Sequence, residues 1–278
     1  MGIGNSCCNK EHISRAESFI ETHIEEHYII YPNLLPSDIG IKRRALKRTT
    51  TESVLIISLY KKAVNELSLL LQETSILKNL KHPNILILEG VYEDETVFHE
   101  VTEDFQGTTL LDLLQEKQTL DEMTTRKICR KILRALDYLH KKTIYYGNLT
   151  LTTVKVLSSQ LKLIDFTNSN HEDKIFSMSQ CNYNFLPPEA FSEIYTCASD
   201  MWSLGILLYY LLKGTLPFDG KEKSDIIQKI QESDYSLSGI SSISKGFIKS
   251  LLQKDPSSRL SAELALSHKW MQNILDID

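Results

Sequence analysis

The chain changes from strand-like to helical patterning at Gly107, and this change constrains the fold more than any other feature. Residues 28–60 and 86–103 are β-rich, and one helical stretch, Lys62–Leu80, separates them. The order predicts an α+β fold in which a small β-rich lobe, residues 28–104, precedes a larger helical lobe, residues 108–273, and a short tail, 274–278. The helices predicted after Gly107 are Leu110–Glu116, Asp121–His140, Ser199–Lys213, Asp225–Glu232, Ser244–Gln253 and Ala262–Asn273.

Composition and charge exclude several classes of protein. The 278 residues, 42% of them apolar, are enough to bury the core of one two-lobed domain. The net charge of −5 and the pI of about 5.9 give no sign of the basic face that nucleic acid binding requires, so nucleic acid is not an expected partner. The five cysteines follow no zinc-ligand or disulfide pattern, which fits a reducing cytosol. The longest apolar run, near Leu204–Leu212, is too short to span a bilayer and predicts a buried helix.

The first eight residues carry a lipidation pattern. Met1-Gly-Ile-Gly-Asn-Ser6 fits Met-Gly-x-x-x-Ser/Thr, in which Gly2 becomes myristoylated once Met1 is removed. One myristoyl chain binds membranes only marginally, with K of about 10⁴ M⁻¹, so a second signal is needed, and palmitoylated Cys7 or Cys8 would supply it. The alternative is a chance match. The pattern predicts a protein on the cytoplasmic face of a membrane, with residues 1–27 forming an acylated segment that includes a short helix.

Five short motifs follow one another along the chain. They are Glu73-Thr-Ser-Ile-Leu-Lys-Asn-Leu-Lys-His-Pro-Asn-Ile85, Pro187-Pro-Glu189, Asp200-Met-Trp-Ser-Leu-Gly205, Leu216-Pro-Phe218 and Asp255-Pro-Ser-Ser-Arg259. Together they resemble the eukaryotic protein kinase domain from about residue 28 to residue 270. Within that family they resemble the calcium/calmodulin-regulated branch, especially the calcium-dependent protein kinases. The resemblance implies a two-lobed fold in which Glu189 and Arg259 form a buried ion pair and Asp200 holds the catalytic loop from below.

The resemblance also implies a nucleotide site, where most residues depart from the family pattern. The glycine-rich loop falls on Leu35, Ser37 and Gly40, so one glycine of three remains. The lysine that pairs with the nucleotide phosphates and with a helix glutamate falls on Ile57. Glu73 therefore lacks its usual partner.

Three further positions belong to the implied nucleotide site. The side chains that cover the adenine ring fall on Lys42 and Leu55, and we expect Leu55 to push into the adenine slot. Thr102 lies at the same site. We expect no cofactor other than Mg-ATP, and Mg-ATP itself to bind weakly or not at all.

Residues 144–153 stand where the family carries its catalytic loop. The histidine, arginine, catalytic aspartate, lysine and magnesium-binding asparagine of that loop fall, in this order, on Tyr146, Gly147, Asn148, Thr150 and Thr153. An asparagine cannot accept the substrate's proton, a role worth about 10²–10⁴ in rate. Asp165 of Asp-Phe-Thr167 is left as a possible but weak magnesium ligand.

These losses predict a pseudokinase of the Ser/Thr kinase family that acts as a scaffold or allosteric partner of another protein, such as an active kinase or a substrate. One alternative is an active kinase in which Lys42 reaches the phosphates from the second strand, and another is a nucleotide-binding switch without transfer activity. No Asp-x-Asp-x-Asp-Gly calcium loop occurs in the sequence. The segment 165–189 contains Ser169, Ser177 and Ser179 and is interpreted as an exposed polar loop rather than as a phosphorylated one.

Overall fold

The computed structural model describes residues 23–35, 37, 40–171, 181–220, 222–232 and 235–272. Gly2, Cys7, Cys8, most of the predicted amino-terminal helix, Ser177, Ser179 and the tail 274–278 lie outside these residues, and their roles stay predictions. Within the described residues, five strands and one helix come first and a helical part follows, which confirms the α+β, two-lobed prediction.

The small lobe is an antiparallel sheet with one helix packed on it. The strand order is β1-β2-β3-β5-β4, and helix α1, Val64–Leu77, connects β3 to β4. Side chains on one face of the sheet pack with Ile24 and Tyr28, which precede or begin the first strand. The other face packs on α1 through residues such as Leu59, Leu70 and Phe98. The strands are β1 (Tyr28–Leu35), β2 (Ile41–Lys47), β3 (Ser53–Tyr60), β4 (Leu88–Glu93) and β5 (Val97–Glu103).

The large lobe is built from helices that begin at polar caps. Thr109 and Asp112 exchange side-chain and backbone hydrogen bonds at the start of α2, and Asp121 accepts from the Thr124 N–H at the start of α3. Short strands line the junction with the small lobe: β6 (Thr108–Thr109), β7 (Ile144–Tyr145), β8 (Val154–Leu157), β9 (Gln160–Leu163) and β10 (Asn170–His171). The helices are α2 (Leu110–Lys117), α3 (Glu122–His140), α4 (Cys197–Lys213), α5 (Lys223–Glu232), α6 (Ser242–Leu251) and α7 (Ala262–Ser267).

Helix α4 forms the centre of the large lobe, as its apolar run predicts. Every residue from 199 to 209 is buried, and Gly205 lets the helix approach α6 closely, since a Cβ there would lie 2.7 Å from a Leu252 methyl carbon. The helix ends at Gly214, which adopts a left-handed conformation with φ of 72°. The part of the chain that the structure describes contains no helix long and apolar enough to cross a bilayer.

An ion pair ties the segment before α4 to the loop before α7. Arg259 donates from Nη1 and Nη2 to the two carboxylate oxygens of Glu189, at 2.6 and 2.7 Å. Its guanidinium also lies 5.2 Å from the ring centre of Trp202 on α4. The structure therefore places Glu189 and Arg259 together as the resemblance implies.

Two predicted helix boundaries are wrong. The helix predicted over 262–273 ends at Ser267, because His268 is extended and its Nδ1 accepts from the Trp270 N–H to start a new 3-10 turn. This break lets Trp270 stack on Phe247 with the ring centres 4.8 Å apart. At the other end of the chain, the short helix predicted within residues 1–27 does not extend through the described part of that segment, which forms a 3-10 turn, Ile24–Glu26, before strand β1.

Candidate functional site

Two rows of side chains cross the cleft-facing surface of the sheet. Lys42 on β2 lies opposite Ile57 on β3, which lies opposite Glu100 on β5. Arg44, Leu55 and Thr102 form the next row in the same way. Because directly opposed residues of antiparallel strands share a face, Lys42 and Glu100 flank Ile57 on the surface where the family lysine would stand.

Gly40 and Arg44 hold the strand that carries Lys42. Gly40 has φ of 63°, and a Cβ there would lie 2.7 Å from the Ser58 carbonyl oxygen, so this position requires glycine. Arg44 donates from Nε to Asp104 at 2.6 Å, and Asp104 also accepts from the Ser53 hydroxyl at 2.6 Å. The half-buried Leu55 lies between Arg44 and Thr102 in its row. The strand that follows the degenerate glycine loop is thus tied to the segment that joins the lobes.

Glu73 on α1 has a backbone partner in place of the missing lysine. Its Oε1 accepts from the Phe166 N–H at 2.7 Å, and the residue is 6% exposed. Burial, and then the negative charge of Asp165, raise the pKa of Glu73 to about 7. The contact holds α1 against the Asp165-Phe-Thr167 segment.

Glu100 is a buried acid that the sequence interpretation missed. The residue is 2% exposed, and among the described residues its Oε2 has no hydrogen-bond partner. Burial, and then the charge of Glu73, raise its pKa well above the ordinary value. The alternation of side chains along a strand could have identified it, because Glu100 lies two residues before Thr102 on β5 and therefore shares the face of the sheet on which Thr102 lies.

Asp165, the remaining candidate magnesium ligand, is bonded by protein groups. It adopts φ of 64°, and its Oδ2 accepts from Asn148 Nδ2 at 2.9 Å. Its Oδ1 accepts from the Thr167 hydroxyl at 2.5 Å and from the Thr167 N–H at 3.2 Å. Both carboxylate oxygens therefore have donors, and the donor at the catalytic base position is an amide.

Threonine hydroxyls close the loop that follows Asn148. Thr153 Oγ1 donates to the Asn148 carbonyl oxygen at 2.5 Å and accepts from the Thr150 N–H at 3.0 Å. The Thr150 hydroxyl lies 3.2 Å from that of Thr153. The structure thus brings together the three degenerate positions, Asn148, Thr150 and Thr153, and satisfies them internally.

Asp200 holds the loop from below, as the resemblance implies. Its carboxylate accepts from the backbone N–H groups of Tyr146 at 2.7 Å and Gly147 at 2.9 Å. The Tyr195 hydroxyl lies 3.1 Å from Asp200 Oδ1, and His140 Nε2 lies 2.9 Å from Oδ2. The fully buried carboxylate is therefore the fixed point of the loop.

Tyr146 fills the histidine position with a buried aromatic ring. The ring packs edge-on against Phe166 with centroids 5.0 Å apart, and its hydroxyl donates to the Ile164 carbonyl oxygen. Burial raises the pKa of Tyr146 well above its usual value. Ser169 is also fully buried and donates to the Tyr146 carbonyl oxygen at 2.7 Å, so the interpretation of Ser169 as part of an exposed loop is wrong.

Gly147 has a backbone conformation that only glycine adopts easily. Its φ is 73°, and a Cβ would lie 2.4 Å from the Asn168 carbonyl oxygen. The arginine of the family loop therefore cannot stand at this position without moving residue 168. Sequence reasoning identified the missing arginine but not the backbone that excludes it.

The residues present do not fit Mg-ATP. Ile57 offers no charge to the phosphates, and Thr153 and both oxygens of Asp165 are engaged by protein groups. Across the described ranges, no group of three or more His, Cys, Asp or Glu side chains is arranged to hold a metal ion. Lys42 is the cation whose charge acts on both Glu73 and Glu100.

Comparison with models of protein families gives a match to the protein kinase domain over residues 39–271. The match covers both lobes and includes every position of the cleft described above from Gly40 onward.

Proposed function

This chain belongs to the protein kinase domain family, and from that premise we propose that it is a pseudokinase of the Ser/Thr kinase type that acts by binding other proteins. It serves as a scaffold or an allosteric partner of an active kinase or of a substrate. The calcium/calmodulin-regulated branch is the part of the family that its motifs resemble most.

One observation carries the proposal: Asn148 donates to Asp165 at 2.9 Å. In an active kinase the residue at the first position accepts the substrate's proton and the residue at the second binds magnesium. Here Asn148 carries an amide, which cannot accept a proton as a carboxylate does. Its Nδ2 donates to Asp165 and so occupies one of the lone pairs that would bind magnesium. The two groups that should act on a nucleotide and a substrate act on each other.

The contacts between α1 and the segment after Asp165 support a binding role. The Glu73 carboxylate accepts from the Phe166 N–H at 2.7 Å, and the Gln72 Nε2 amide donates to the Ser169 carbonyl oxygen at 2.9 Å. Both contacts join α1 to the segment after Asp165. Protein groups alone therefore hold α1 against this segment, and a partner would meet a preformed surface.

Membrane attachment is the second part of the proposal. It rests on the Gly2, Cys7 and Cys8 pattern, in which a myristoyl and a palmitoyl group together give stable anchoring. The kinase-like domain would then be held at the cytoplasmic face of a membrane, where it meets its partner.

The second candidate function is a nucleotide-binding switch or an active kinase that uses Lys42. The observation that favours it is the position of Lys42 directly across from Ile57, on the same face of the sheet. From there a four-carbon side chain extends toward the place of the family lysine.

A thermal-shift titration with Mg-ATP separates the two candidates. A ligand that binds only the folded state adds about 2.7 kcal/mol of stability at 100 times Kd. We expect no shift at micromolar Mg-ATP and no transfer of phosphate to generic Ser/Thr substrates. A shift that Lys42→Met abolishes would favour the switch. Phosphotransfer that Asp165→Ala abolishes would overturn the pseudokinase proposal.

A further inference from the structure

Helix α3 carries a concentrated positive charge in an acidic chain. Between Glu122 and Lys142 there are seven Lys or Arg residues and two acidic ones, a formal charge of +5, whereas the whole chain carries −5. Net charge hides this feature because the remainder of the molecule is strongly acidic.

The basic residues share one side of the helix. Lys127, Arg130, Lys131, Arg134 and Lys141 recur at intervals of three, four and seven residues, which places them along one stripe. The buried residues of α3, such as Ile132, Leu136 and Leu139, lie on the opposite side. The stripe is about 21 Å long at a rise of 1.5 Å per residue, and we call it the basic face.

The neighbouring segments add to the basic face. The Tyr138 hydroxyl on α3 accepts from the Lys81 backbone N–H at 3.0 Å, and its ring stacks on His82 with the ring centres 5.2 Å apart. Lys142 lies over the same ring, with Nζ 5.3 Å from its centre. Burial, and then the positive charges of Arg134 and Lys162, lower the pKa of His82, so the added charges are those of Lys81 and Lys142 and not that of the imidazole.

Several of these charges are directed outward. Lys127 and Lys142 are exposed, and Lys131 donates to the Ser159 carbonyl oxygen, a contact that leaves its charge unneutralised. The acids at the edge of the face are Asp137 and Glu263, and both contact Lys141, at 2.8 and 3.8 Å.

We propose that the basic face of α3 lies against the anionic lipid surface of the membrane to which the chain is tethered. The inference rests on the proposed tether, and it adds an orientation: the acyl groups hold the chain, and the charges turn α3 toward the bilayer. A row of positive charges along one side of a helix, exposed at Lys127 and Lys141, is complementary to a flat surface of negative headgroups. The 22 residues before His23 span at most about 75 Å when extended, which is ample to reach the same surface.

The test uses the full chain carrying Gly2→Ala, so that no acyl group contributes to binding. We would measure its co-sedimentation with phosphatidylcholine vesicles that contain or lack about 30 mol% phosphatidylserine, at low and near-physiological salt. We expect binding that requires the anionic lipid and weakens with salt. If binding does not depend on phosphatidylserine, the proposal is overturned. The proposed acyl tether is tested separately, by whether the unmodified chain is found in the membrane fraction of cells.

A matched pair of variants assigns the binding to this face. Lys127→Gln with Lys131→Gln should weaken binding about 25-fold, at about fivefold per charge, whereas Lys245→Gln with Lys249→Gln on α6 should leave it unchanged. If the first pair lowers the unfolding temperature, Lys127→Gln with Lys142→Gln replaces it, because both residues are exposed. Equal binding by the face and control variants overturns the proposal. So does tighter binding of single-stranded RNA than of anionic vesicles, which would assign the face to nucleic acid.

Discussion

The state in which Glu73 is buried against Phe166 should lose stability as pH rises from about 5 to about 7, because burial disfavours the ionised carboxylate. The pKa of Glu73 is raised from 4.5 to about 7 in the closed structure, chiefly by burial. The closed state therefore holds a proton that the opened state releases more easily. Its stabilising contribution is fully present below about pH 4.5 and is lost as the pH rises toward about 7.

The magnitude follows from the size of the shift. A difference of about 2.5 units at 1.36 kcal/mol per unit amounts to about 3 kcal/mol over the full window. Between about pH 5 and about pH 7, the equilibrium constant for opening should increase by about an order of magnitude or more. Glu73 is almost completely buried, so solvent screening removes little of this effect.

Hydrogen exchange at the Phe166 amide is a direct assay, because that N–H is the donor to Glu73. Its protection factor, corrected for the intrinsic pH dependence of exchange, should fall by the stated factor. The Ile164 amide, which donates to the Thr153 carbonyl oxygen at 2.9 Å, is the internal reference. Glu73→Gln is the matched variant, since its amide oxygen still accepts the bond but does not titrate.

Two results would refute this reasoning. One is a Phe166 protection factor that stays constant across the pH range in the unmodified sequence. The other is an equal fall in Glu73→Gln, which would assign the pH dependence to another group. Glu100 is the first to consider in that case, because its pKa is also raised.

Three further predictions concern the fold and the tether. Gly147→Ala should lower the free energy of unfolding by at least 1–2 kcal/mol because its φ is 73°, whereas Gly246→Ala, where an added Cβ meets nothing within 4 Å, should raise it by up to about 1 kcal/mol; urea unfolding measures both. Arg259→Met should destabilise by about 3–5 kcal/mol because it leaves the Glu189 carboxylate without its partner, and adding Glu189→Gln should restore part of the loss in the same assay. Gly2→Ala should move the protein to the soluble fraction of cells, and replacing both adjacent cysteines with serine should give a mixed distribution; unchanged fractionation of Gly2→Ala would make the amino-terminal pattern a chance match.

The order of the lobes and the central helix were predictable from local patterns. A run of apolar residues around Leu204–Leu212 predicts a buried helix wherever it occurs, and α4 is one. The break at His268 was not predictable from periodicity, since it depends on a side-chain cap and on the packing of Trp270. Local patterns describe one element at a time, whereas such a break is decided by contacts between elements.

The cleft shows the same division. Motif spacing placed Ile57, Asn148 and Asp165 at their positions, but not the hydrogen bond that joins the last two. Glu100 escaped notice because an acid inside a strand usually faces solvent, and only the pairing of β5 with β3 turns it inward. The basic face of α3 was missed because net charge averages over the whole chain.

The backbone at Gly147 bears on any attempt to engineer activity into this molecule. Substituting lysine at position 57 and aspartate at position 148 leaves the backbone of residue 147 as close to the Asn168 carbonyl oxygen as before. An arginine at 147 requires residue 168 to retreat first, and the neighbouring Ser169 is bonded both to Tyr146 and to Gln72 on α1. Restoring a kinase here is therefore a problem of remodelling a loop, in which the order of substitutions decides whether each intermediate protein folds.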